Sequence, residues 1–76
     1  MNEQSFNVGD RVVLAKRPLY FKTADPMPML RPPDLIPVNS VGTIDKLSPG
    51  GTYVVRFEQG TFLVNPEDLT RPDAAP

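Results

Sequence analysis

The chain has no histidine, no cysteine and no tryptophan. Losing histidine removes the usual general base at neutral pH, and losing cysteine removes the thiolate nucleophile. Together the two absences also take away the commonest zinc ligands. No disulfide can staple the fold, which fits a reducing compartment. No apolar run approaches the ~20 residues of a membrane-spanning helix. The start, MNEQSFNVGD, has neither a basic segment nor an apolar core, so it does not read as a secretory signal. A cytoplasmic location without membrane insertion is the expectation. Like charges do not cluster: eight Lys and Arg and nine Asp and Glu are spread along the chain, for a net charge of −1. Such a balance does not favour generic nucleic-acid binding.

What remains gives little to catalysis. Ser5, Ser40 and Ser48 have no activating partner in sequence and suit loops and turns. Glu67 and Asp68 are adjacent and fit a helix N-terminus better than paired acid–base work. Asp25 and Asp34 flank prolines, where Asp starts turns. No glycine-rich loop leads into a helix, as a nucleotide site would need. The expectation is a protein that is not an enzyme, with no cofactor, no metal and no small-molecule substrate.

Proline, by contrast, is abundant. Six of the ten prolines fall in residues 18–37, PLYFKTADPMPMLRPPDLIP. Proline has no N–H and a fixed φ, so this stretch reads as a long loop, neither helix interior nor central strand. It is nonetheless rich in apolar side chains: Tyr20, Phe21, Met27, Met29, Leu30, Leu35 and Ile36. Methionine adapts to partners, alternate prolines hold a chain extended, and Arg31 adds a charged anchor. Leu35 and Ile36 could equally cover one end of a core, while Met27 and Met29 lean towards exposure. No two prolines are three apart, so the stretch lacks the PxxP ligand pattern and suits a receptor surface.

Outside this stretch the pattern is β. Residues 11–16 read as a first strand, with Val12 and Leu14 on one face and Val8 folding back onto the core. Residues 41–58 read as a hairpin around Ser48, Pro49, Gly50 and Gly51, with Tyr53, Val55 and Phe57 on one face. Gly42 marks a bulge or a close backbone approach. Residues 61–64 form a fourth strand after a turn at Gln59 and Gly60. Asn65 then caps a single helical turn begun by Pro66, Leu69 points inward, and residues 70–71 make a last pairing. The domain is placed at residues 6–71, between flexible tails at 1–5 and 72–76. An all-β, small SH3-like five-stranded barrel follows, with a long Pro-rich first loop and a one-turn helix before the last strand. An OB-like barrel and an open meander are the alternatives, and the chain is short for the former.

The run YFKTADPMPMLRPPD at 20–34, with VGDRV at 8–12, VGTI at 41–44 and VRFE at 55–58, resembles the SipA family. These are small cyanobacterial and plastid-related proteins with an SH3-like barrel. The resemblance implies a monomeric regulator that binds a sensor histidine kinase of the NblS type and stimulates its autophosphorylation in stress and high-light signalling. The contact set expected from the loop is Tyr20, Lys22, Asp25, Met27, Met29, Leu30 and Arg31. Two other functions fit a barrel of this size. One is a docking subunit for ferredoxin on a photosynthetic NADH dehydrogenase-like complex, which would need a basic surface for its acidic partner. The other is an RNA- or ribosome-associated module, which would need a basic patch near Lys16, Arg17 and Lys22.

Overall fold

A computed structural model describes residues 6–72. The expected tails at 1–5 and 73–76 lie outside the described residues, and Pro72 is exposed. The described residues are all-β, with seven strands: β1 (Arg11–Leu14), β2 (Phe21–Thr23), β3 (Leu30–Arg31), β4 (Val41–Leu47), β5 (Tyr53–Phe57), β6 (Gly60–Val64) and β7 (Leu69–Thr70). They form one antiparallel sheet in the order β3-β2-β6-β5-β4-β1-β7. Its end strands β3 and β7 do not pair with each other, so the sheet is open rather than the expected closed five-stranded barrel. The two extra strands, β2 and β3, come from the Pro-rich stretch. They are three and two residues long and fit between its prolines, so no ring nitrogen has to donate to the ladder.

The inward side chains of six strands meet in one cluster: Val12, Leu14, Phe21, Ile44, Val55, Phe57, Phe62, Val64 and Leu69, joined by Phe6 and Ile36 from the connections. A flat sheet could not bring side chains from six strands together, so the sheet coils around them. A bulge in β4, where Asp45 is the extra residue between Ile44 and Lys46, adds to this bending. Gly42 is the close approach rather than the bulge. A Cβ there would lie 2.7 Å from Val55 Cγ1 and 3.0 Å from the Phe57 ring.

The alternation read along 12–14 and 53–57 holds. Val12 and Leu14 face the core, and Val13, although buried, lies outside the cluster between Val41 and Thr70. Val8 does not fold inward. It sits exposed in a turn where Asp10 N–H donates to Asn7 C=O and Asn7 N–H donates to Asp10 Oδ2. Phe6 fills that end of the core instead. It packs edge-on to Tyr53 at 5.4 Å, donates its N–H to Tyr53 Oη at 3.1 Å, and lies 5.2 Å beneath the Arg71 guanidinium.

At the other end, Pro66–Asp68 make one 3-10 turn with Pro at its start. Asn65 makes no side-chain capping bond there, contrary to expectation. The turn is held instead by backbone: Asp68 N–H donates to Asn65 C=O, and Asp68 C=O accepts from Ala15 and Lys16. Leu69 then points into the core and pairs with Leu14 through β7, one residue earlier than the 70–71 pairing expected.

Candidate functional site

Residues 18–37 are a folded element. Phe21 is buried to 1 % exposure and packs on Phe62 at 5.5 Å, which roots β2 in the core. Lys22 and Thr23 pair with Leu63 and Phe62 of β6, so β2 is an interior strand. From Thr23 the chain turns through Ala24, Asp25, Pro26, Met27 and Pro28, and returns as β3. The turn is closed by two bonds on one residue pair: Thr23 N–H donates to Met29 C=O at 2.9 Å, and Met29 N–H donates to Thr23 Oγ1 at 2.8 Å. The result is a β2–β3 tongue, fixed at its root and projecting at its tip.

All seven expected contact residues belong to this tongue or its root. Met27 is 83 % exposed, and Met29, Leu30 and Tyr20 are each more than half exposed. Asp25 is exposed at the tip, Arg31 on β3, and Lys22 on the outward face of β2, opposite Leu30. The element does not gather them on one surface. Tyr20 and Lys22 border a groove at the root, whereas Asp25, Met27 and Met29 lie at the tip and Leu30 and Arg31 along the sheet edge. Beyond the tongue, Pro32 C=O accepts from Leu35 N–H in a turn, and Ile36 enters the core with Leu35 packed beside it. The stretch divides between exposure and core cover. The first part presents apolar surface and the last part covers the core.

The groove, about 630 Å3, runs between the β1–β2 connection, the β4–β5 turn and the 3-10 turn. Pro18, Leu19 and Tyr20 form one wall, Ser48, Pro49 and Thr52 another, and Glu67 and Asp68 a third. Leu19, at 89 % exposure the most exposed large apolar residue described, was missed in sequence. Its only sequence signal was its place between Pro18 and Tyr20. The cations that an RNA-binding role would need as a basic patch share this region with acids. Arg17 and Lys22 line the groove with Glu67 and Asp68, and Lys16 acts on Asp68. Burial raises the Asp68 carboxyl above its ordinary value, the neighbouring Glu67 charge raises it further, and Lys16 pulls it part of the way back. The groove is therefore amphipathic and mixed in charge.

No helix among the described residues is long and apolar enough to cross a membrane. A family model described as Protein CHLORORESPIRATORY REDUCTION 42-like matches residues 8–69. That span takes in the tongue, the groove and all seven strands except the last residue of β7. No curated protein and no solved structure matches the chain.

Proposed function

The chain belongs to the chlororespiratory reduction 42-like family, and from that premise we propose that it is a non-enzymatic, protein-binding accessory of a photosynthetic NADH dehydrogenase-like complex. The observation that carries the binding role is the tongue. Its root is locked by Phe21, while Met27, Met29 and Leu30 are held out in water by prolines and a two-bond turn. Apolar side chains kept exposed on a rigid element bury area on docking at little cost in ordering. The family description supplies the association with chlororespiratory function; it names no ligand.

Co-purification from solubilised photosynthetic membranes tests this reading. Wild-type protein is expected to run with the complex, and the Met27→Ala/Met29→Ala variant to run free while keeping its melting temperature. A wild-type protein that never migrates with the complex would overturn the association. A double variant that still binds would remove the tongue from it.

The sensor-kinase reading uses the same element, because the run at 22–34 that carries the SipA resemblance is the tongue itself. It predicts faster autophosphorylation of a purified NblS-type kinase when the protein is added. The ferredoxin version of the complex-bound role needs a cationic surface, and the tongue offers only Lys22 and Arg31 against Asp25.

A further inference from the structure

The near-neutral sequence hides a separation of charge. The strands contain five cations, Arg11, Lys22, Arg31, Lys46 and Arg56, and a single acid, Asp45. The other described acids sit in turns and connections. Four of the cations point outward, away from the core. Arg11 lies opposite Thr43, Thr43 opposite Arg56, and Arg56 opposite Thr61, in one row across β1, β4, β5 and β6. In the next row Lys46 lies opposite Val54, Val54 opposite Leu63, and Leu63 opposite Lys22. Arg11, Lys22, Lys46 and Arg56 are all exposed, and none forms an ion pair with a described residue. Arg11 and Arg56 are two strands apart, ~10 Å, and Lys46 is diagonal to Arg56 at ~7–8 Å. Among the described residues no α-helix is present to cover this face.

We propose that the outward face of β1, β4, β5 and β6 is a second docking surface, which takes an acidic protein surface. Charge complementarity identifies the partner. Two arginines on strand positions ~10 Å apart, with Thr43 between them and Thr61 beyond Arg56, match carboxylates displayed on a folded surface or an extended acidic segment. Val54 and Leu63 add a half-buried apolar strip. A nucleic acid fits less well. No aromatic side chain stands on these outward positions to stack a base. The face crosses four neighbouring strands, three interstrand steps or ~14 Å, at the small end of interface sizes. The contact is therefore transient and steered by charge. Arg11, Thr43, Lys46 and Arg56 lie on β1, β4 and β5, outside the tongue, and Lys22 stands where the two surfaces adjoin, so the protein can engage two partners.

Amide NMR of the full-length protein tests the assignment, titrated with a glutamate-rich peptide, a neutral peptide of equal length and a single-stranded oligonucleotide of the same formal charge. The acidic peptide is expected to shift Arg11, Thr43, Lys46 and Arg56, and its affinity to fall about tenfold in Lys46→Gln/Arg56→Gln and again on raising salt to ~0.15 M. The neutral peptide leaves these signals in place. The Met27→Ala/Met29→Ala variant binds the acidic peptide as wild type does, which keeps this result separate from loss of the complex. Shifts confined to the groove or tongue, an unchanged affinity in the Gln variant, or tighter binding of the oligonucleotide would each overturn the proposal.

Discussion

Residues 18–37 and 41–64 are both rich in apolar side chains, but they use them differently. In the second stretch, β4, β5 and β6 are joined by short turns, and side chains alternate except at the Asp45 bulge: Ile44, Val55, Phe57, Phe62 and Val64 go in, and Thr43, Val54, Arg56, Thr61 and Leu63 go out. In the first, only Phe21 and Ile36 reach the core, while Leu19, Tyr20, Met27, Met29 and Leu30 face solvent. Hydrophobicity does not separate the stretches; backbone hydrogen bonding does. Long ladders impose a period of two, whereas the Pro-rich stretch enters the sheet only through strands of three and two residues. Phe21 of β2 and Ile36 of the following connection anchor the stretch, and most other apolar side chains are left exposed.

The comparison breaks most sharply at Phe21. If it anchors the whole tongue, Phe21→Ala costs ~3–5 kcal/mol, as for a deleted core aromatic. That is comparable to the entire stability of a domain this small, so circular dichroism at 25 °C should show a largely unfolded chain. Met27→Ala, six residues away, should stay within ~0.5 kcal/mol in a urea titration. Equal costs at the two positions would mean that the tongue packs along its whole length, and the contrast with 41–64 would fail.

The second stretch is tested at Gly42. Ala there would push a methyl against Val55 Cγ1 and the Phe57 ring, both on the inward face. Overpacking of this kind costs ~1–3 kcal/mol, read as a lower urea midpoint with an unchanged slope. A neutral Gly42→Ala would show that the alternating sheet has slack, and that close packing is not what distinguishes it from the Pro-rich stretch.

These differences explain what could be read in advance. The β4–β5 hairpin, β6 and inward Leu69 were legible, because alternation and glycine turns are local signals. The strands β2 and β3 were not. A strand of two or three residues has no period to detect, and its partner, β6, lies forty residues further on. Phe6 was missed for a similar reason: one aromatic after a polar start carries no pattern, and only Tyr53 and Arg71 explain its burial. Exposure of Met27 and Met29 was legible from their flanking prolines. The cationic outward face was not, since Arg11, Lys22, Lys46 and Arg56 are dispersed in sequence and meet only through register.

The smallest expected effect lies where the two ends of the domain meet, at Asp68. Its backbone carbonyl ties the start of the Pro-rich connection through Ala15 and Lys16, so its backbone belongs to the fold while its side chain faces the groove. Burial and Glu67 raise its carboxyl, so the folded chain holds that proton more firmly than the unfolded chain does. Ionisation therefore opposes folding. The associated stability is fully present below the ordinary carboxylate value and is lost as pH rises through the raised folded value. Asp68→Asn mimics the protonated acid and keeps the backbone bonds. It should melt slightly higher than wild type at pH ~7, and the gain should shrink towards zero by pH ~3, where the wild-type carboxyl is protonated folded or unfolded. A gain that persists in acid would mean that the substitution acts through packing instead. A loss at neutral pH would mean that the ionised carboxylate is held by Lys16 or Arg17 strongly enough to outweigh its burial, which would make this wall of the groove a stabilising ion pair rather than a strained one.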